Sequence, residues 1–240
     1  MGVRALPGTP EHFMRNNSKQ SKRSFKALLC DMDGTIINSE VISHKALVQT
    51  CADFGAEFTL ENHLSILGMR FAEGATWIVE NLSLAVSAEV LRQKYREYYH
   101  ALIEHDLRLN DGFYKLASYC KENGIALGLV TSSRKHSVVR NFKIVGLDNP
   151  FEGWITAESV SKGKPDREPY VLGAKMLGVE PSECIVLEDS ENGAISAADA
   201  GAYVIAIPNE FSKVLPYVMA DSVSDSLADA LIEIEGMLNR

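Results

Sequence analysis

Short apolar runs punctuate the chain at 25–30 (FKALLC), 125–130 (IALGLV), 154–156 (WIT), 184–187 (CIVL) and 203–207 (YVIAI). Runs of that length bounded by polar residues predict buried strands. Between them the apolar positions repeat at helical spacing. Phe113, Leu116, Ala117 and Cys120 share a face over 113–122, and Tyr170, Val171, Ala174 and Leu177 do so over 167–177. Leu227, Ala230, Leu231, Ile234 and Leu238 form a stripe over 226–238. Strands alternating with helices of this size predict an α/β fold, a parallel sheet covered on both faces. One interval departs from the alternation: about 80 residues separate the first strand from the helix at 113, where a crossover needs little more than a dozen. Leu47, Cys51 and Phe54 share a helical face within 44–54, and Leu91, Tyr95, Tyr98, Leu102 and His105 within 87–105. The interval therefore predicts a small helical domain at 38–110, inserted into a core made of 25–37 and 111–240.

Composition narrows the class. In 240 residues, 46% are hydrophobic and 23% charged, which excludes a disordered chain, a collagen-like repeat and a coiled coil. Apolar runs such as LLC (28–30) and IVL (185–187) fall far short of the ~18 residues of a membrane span. Lys and Arg total 24 against 32 Asp and Glu, a net charge of −8. Such a chain repels nucleic acid and anionic membranes at long range, but it accepts a small anionic substrate where basic side chains converge. Cys30, Cys51, Cys120 and Cys184 are scattered among apolar residues without metal-ligand spacing. They read as reduced, core-filling thiols of a cytoplasmic protein. Residues 1–24 differ from the rest, with Arg4, Arg15, Lys19, Lys22 and Arg23 against Glu11 and no apolar stretch. They read as a flexible basic tail or expression remnant rather than a secretory signal.

The candidate chemistry begins at DMDGT (31–35). Asp31 and Asp33 are two residues apart, so a locally extended backbone points both carboxylates the same way. Two close carboxylates call for a hard cation between them, or for one to be protonated. By itself the pair reads better as an acidic turn after a strand. Three other strand ends change that. VTSS (130–133) offers hydroxyls that either cap the next helix or bind phosphate. Glu188 and Asp189 follow the run at 184–187, and Lys164 lies in the turn KGKPD beyond another strand. In a doubly wound sheet, ligands bind at the carboxyl ends of the strands. On that rim these residues amount to a nucleophile, a proton donor, a metal cradle, phosphate donors and a cation, the equipment of phosphoryl transfer through an aspartyl phosphate.

The order DMDGT (31–35), VTSS (130–133), Lys164-Pro165 and LEDS (187–190) resembles the haloacid dehalogenase superfamily of phosphotransferases, over residues 25 to about 210. The resemblance implies a Rossmann-like core with a helical cap after the first motif. It also implies that Asp31 is the phosphorylated nucleophile and Asp33 the acid/base. Thr131, Lys164 and the Ser132 amide would hold the phosphoryl oxygens. Mg²⁺ would bind Asp31, the backbone carbonyl of Asp33, and Asp189, with Glu188 close by.

Within the superfamily the chain is most similar to the cap-bearing sugar-phosphate phosphatases and β-phosphoglucomutases. It departs from them at Asn38, where D-S-E is common, and at Arg167, where a second proline is common. The LEDS motif points towards sugar or polyol phosphates. The implied activity is a Mg²⁺-dependent phosphatase for a small phosphorylated metabolite, the alternatives being a phosphomutase and a non-catalytic phosphometabolite-binding protein. The β-phosphoglucomutases carry a hinge histidine twelve residues after the nucleophile. Ser43 holds that position here and His44 follows it, a rotation of about 100° along a helix, which favours hydrolysis. Arg70 and His44 are the candidate substrate contacts from the cap. Trp77 and the tyrosines at 95, 98 and 99 read as cap core.

Overall fold

The computed structural model describes residues 24–67, 69 and 71–238. The basic tail expected at 1–24 therefore lies, but for Ser24, outside the described residues, and so does Arg70. Among the described residues the strands are β1 (Ala27–Cys30), β2 (Ala126–Val130), β3 (Gly153–Ile155), β4 (Cys184–Glu188), β5 (Tyr203–Ala206) and β6 (Ser222–Val223). They form one sheet in the order β3-β2-β1-β4-β5-β6, with every pairing parallel. The helices of the core are α5 (Phe113–Glu122), α6 (Lys135–Val145), α7 (Glu168–Met176), α8 (Glu191–Ala200) and α9 (Leu227–Leu238). They follow α1 (Ser39–Asp53), α2 (Leu60–Ile66), α3 (Phe71–Asn81) and α4 (Ala88–Asp106). This is the α/β Rossmann-like architecture that the alternation predicts.

The period-2 alternation of the strands divides the core into two layers. Leu28, Cys30, Leu129 and Leu187 face α5, α6 and α9 through Leu116, Phe142 and Ile234. Leu29, Val130, Val186 and Val204 face α7 and α8, where Tyr170, Ala174, Ala194 and Ala197 pack. Small alanines let α8 lie close to the sheet. All four cysteines are free and buried. No helix of the described residues is long and apolar enough to cross a membrane.

Helices α1 to α4 enclose a cluster of their own around Leu47, Cys51, Phe58, Ile78 and Leu91. The chain enters and leaves this helical segment through two adjacent strands of backbone. Ile37 bridges Leu109 in antiparallel fashion, and the Asn38 amide donates to the Arg108 carbonyl at 3.2 Å. The expected helix at 44–54 begins earlier, at Ser39, because Ser39 and Ile42 are already buried in the first turns. Along α4 the buried positions are Leu91 and Ile103, with Tyr95 and Tyr99 between them half-buried. His105, expected on that face, is exposed, and Tyr98 donates instead to Asp53 at 2.7 Å.

Candidate active site

Register places three of the motifs, DMDGT, VTSS and LEDS, side by side. Cys30 pairs with Leu129 on one flank and Leu187 on the other, so the residues that follow leave the sheet together at its carboxyl edge. Asp31 extends β1 by one more bond, its amide donating to the Leu187 carbonyl at 3.0 Å. Lys164 arrives from the loop beyond β3 and brings a cation into this edge. Its Nζ donates to Asp31 Oδ1 at 2.6 Å, Glu188 Oε1 at 2.5 Å and the Val130 carbonyl at 3.0 Å. An ammonium has three protons to give, and all three are used. The side chain is only 6% exposed. Burial works against its charge, but Asp31 and Glu188 outweigh it and hold the ammonium above its usual range.

The carboxylates divide into two groups. Asp31, Glu188 and Asp189 are buried, each with an oxygen within 4.8 Å of the others. Burial pushes Asp31 and Asp189 well above the usual carboxylate range; Lys164 opposes it at both, while Glu188 and Asp33 add to it at Asp31, and Asp31 and Glu188 at Asp189. Three clustered acids against one lysine leave an excess of negative charge, which suits a small hard cation. Both oxygens of Glu188 already have partners, Lys164 and Tyr170 (2.6 Å) on Oε1 and Ser190 on Oε2. Glu188 thus anchors Lys164 more than it offers a free ligand. Asp189 is steadied by Asn209 at 2.6 Å and Thr35 at 3.3 Å, while the Tyr217 hydroxyl donates to its backbone carbonyl.

Asp33 stands apart from that cluster. Ser39, the first residue of α1, donates to its Oδ1 at 2.8 Å, and Ser133 donates to Oδ2 at 2.6 Å. Thr131 lies 3.4 Å from the same Oδ2. The hydroxyls at 131–133 are therefore not helix caps; α6 has Arg134 at its N-cap position and no side-chain cap. The acids at 188 and 189 do not cap α8 either, since Ser190 takes that place.

The motif's turn depends on Gly34, whose φ of 84° favours glycine. A Cβ built there would also overlap the Asp189 carboxylate. Gly34→Ala is therefore expected to cost about 1–2 kcal/mol for the left-handed backbone alone. Displacement of Asp189 comes on top, giving a Tm several degrees lower in a thermal melt. Asn110, at the exit of the helical segment, pins the same turn by donating to the carbonyls of Gly34 (3.0 Å) and Thr35 (2.8 Å).

These groups open onto a cleft of about 770 Å³, lined by Asp31, Asp33, Thr131, Ser132, Lys164 and Asp189 on the sheet side. Glu40, Leu67, Met69 and Phe71 line it from the helical segment. His44, expected to touch substrate, is not among the lining residues. Its ring packs 4.8 Å from Phe211 and 5.0 Å from His63, centroid to centroid. Trp77 is half-buried against the helical core, and Tyr95 stacks on Tyr99 at 5.5 Å. The pattern of apolar residues gave no sign of Ser39, Asn209 or Glu40, nor of the bond that the Tyr170 hydroxyl makes to Glu188. Each is a single polar residue whose partner is distant in sequence or on another element.

A parallel sheet with paired aspartates, hydroxyls, a buried lysine and an acidic cluster on one rim defines a protein built for phosphoryl transfer. The chain belongs to the haloacid dehalogenase-like hydrolase family, whose model matches residues 28–207. A Bacillus subtilis (strain 168) protein named provisionally as a phosphatase, YhcW, is 31% identical over 205 residues, 85% of this chain and 93% of its own length. Hexitol phosphatase A of Escherichia coli (strain K12) is 32% identical over 184 residues, 76% of this chain and 82% of its own. A crystal structure from Thermotoga maritima, provisionally named a β-phosphoglucomutase, shares the fold with a TM-score of 0.75 at 24% identity. The match covers 88% of this chain and 99% of that one.

Proposed function

We propose that the protein is a Mg²⁺-dependent phosphatase of the cytoplasm, acting on a small sugar or polyol phosphate, with residues 38–110 as a cap over a core of 25–37 and 111–240. The observation that carries this is the contrast between two carboxylates facing one cleft. Asp31 is buried against a lysine ammonium, whereas Asp33 is held on both oxygens by hydroxyl groups. Relatives named as phosphatases support the reading.

Asp31 attacks phosphorus, forming an acyl phosphate as the bond to the leaving oxygen breaks, and Asp33 gives that oxygen its proton. Asp33 then takes a proton from water as the water oxygen attacks phosphorus, and the Asp31 carboxylate is released. Lys164, fixed by Glu188 and the Val130 carbonyl, sets the angle of the nucleophile and offsets charge on the transferred group. Thr131 and the Ser132 amide are placed to hold phosphoryl oxygens. Mg²⁺, for which Asp31, Asp189 and the Asp33 backbone carbonyl are the ligands proposed, supplies neutralising charge when bound; Glu188 supports the site from behind.

Hydrolysis is favoured over isomerisation by the surroundings of the hinge. Ser43 is bonded to the Tyr95 hydroxyl at 3.0 Å and His44 is packed on Phe211, so neither is a partner of Asp33. Phosphate release from p-nitrophenyl phosphate is expected to disappear in excess chelator and return with Mg²⁺. With β-glucose 1-phosphate and catalytic glucose 1,6-bisphosphate, inorganic phosphate is expected to form faster than glucose 6-phosphate. The reverse order would establish a mutase.

A further inference from the structure

A smaller chamber of about 270 Å³ within the helical segment adjoins the cleft. Glu40, Leu67, Met69 and Phe71 line both spaces. Leu47, Ile66, Leu67, Met69 and Phe71 form the chamber's apolar wall, and Glu40, Ser43, His63 and Tyr95 its polar one. Among its polar residues, Ser43 and Tyr95 bond to each other. His63 is different. It is 3% exposed, and neither Nδ1 nor Nε2 has a hydrogen-bond partner. A buried polar group left in that state costs about 1–3 kcal/mol.

The ring cannot easily turn away to find a partner. Phe211 packs 4.5 Å from it and His44 5.0 Å, with Phe58 at 6.3 Å. Burial and the neighbouring His44 lower its pKa to about 4. A neutral imidazole has one nitrogen that donates and one that accepts. Opposite it, Glu40 Oε2 lies 3.9 Å from Nε2, too far for a direct hydrogen bond. The gap is one that a hydroxyl oxygen can bridge with a hydrogen bond to each side. Partial withdrawal from water, with Asp33 nearby, lifts the Glu40 carboxyl to about 7. Near neutral pH it can therefore act as acceptor or donor.

We infer that Glu40 and His63 together bind a hydroxyl of the leaving group, and that the chamber selects phosphomonoesters whose leaving group carries such a hydroxyl. This specificity rests on the phosphatase reading above.

The test uses a series of ω-hydroxyalkyl phosphates of increasing chain length, each compared with the alkyl phosphate lacking the hydroxyl. For the best chain length, kcat/KM is expected to favour the hydroxylated ester by about tenfold or more, chiefly through KM. Glu40→Ala and His63→Phe are each expected to shrink that ratio to about threefold or less. A ratio near one in the wild type at every length overturns the inference, as does an unchanged ratio in both variants. If His63→Phe does not fold, Glu40→Ala alone decides, since its side chain is 31% exposed and carries no core packing. Hydrolysis of p-nitrophenyl phosphate by the same wild-type preparation separates the two levels. Its absence counts against the phosphatase itself; its presence with a ratio near one counts against the chamber alone.

Discussion

Asp31→Asn is expected to lower phosphate release by about 10⁴-fold or more, the scale on which removal of a catalytic nucleophile acts. An amide of the same shape keeps the volume of the site but has no charge with which to attack phosphorus. The same substitution is expected to leave stability intact or to raise it. Asp31 sits 2.6 Å from Lys164, yet burial and the acids around it push its pKa up on balance. A carboxyl whose folded pKa lies above its unfolded value stabilises the fold when protonated, and loses that contribution as pH rises from its unfolded pKa through its folded one. Removing the charge removes that loss, so the variant's Tm in chelator should fall less between about pH 5 and about pH 8 than the wild type's. Retained phosphate release would show that another group attacks phosphorus. A Tm well below that of the wild type at both pH values would show that Asp31 is chiefly a structural partner of Lys164.

The core was legible because its strands are buried on both faces. Runs such as CIVL then stand out as continuous apolar stretches, and every strand but the shortest is found by that signal. β6 has two residues, one of them exposed, and no periodicity marks it. The helical segment was legible only as an excess of length. Its helices α2 and α3 bury few positions; only His63 of α2 is buried, a polar residue that no apolar count includes. On α4 the expected face holds at Leu91, Tyr95 and Leu102 and fails at His105, which is exposed. Tyrosine counts as apolar in a periodic pattern, while the Tyr98 hydroxyl is satisfied by Asp53 at the surface.

At the site, sequence order located the groups that leave the strand ends, because register in a parallel sheet brings those ends to one edge. It could not locate what supports them. Tyr170 lies one turn into α7, where it reads as core, and its ring is fully buried. Its hydroxyl is nonetheless spent on Glu188. Gly193 looks like a weak point in α8 until its neighbour is seen. A Cβ there would overlap the Glu188 carboxylate, so the helix approaches the acid along a glycine. Ser39 and Ser133 hold Asp33 from two different elements. Hydroxyl residues are common and their bonds are decided by tertiary packing, so composition and spacing carry no trace of the pairing.

Lys164→Met should produce the largest loss of stability among these variants, together with a large loss of activity. The methionine fills the space of the stem, but Asp31, Glu188 and Asp189 then share a buried volume without a cation, and the Val130 carbonyl loses its donor. Removing one member of a buried charge pair costs about 3–5 kcal/mol, because the partner's desolvation is no longer compensated. Activity should fall by roughly 10²–10³-fold or more, as for loss of one preorganised charge at the transferring group. The sign of the pH dependence identifies the cause. Without the lysine Asp31 and Asp189 hold their protons still more tightly, so the variant's stability deficit should shrink on acidification from about pH 8 to about pH 6. Millimolar Mg²⁺ should reduce the deficit at the higher pH by binding the same carboxylates. A deficit of equal size at both pH values and unaffected by the metal would mean that Lys164 acts through the packing of its stem. In that case the excess negative charge would not be what the lysine and the metal jointly balance.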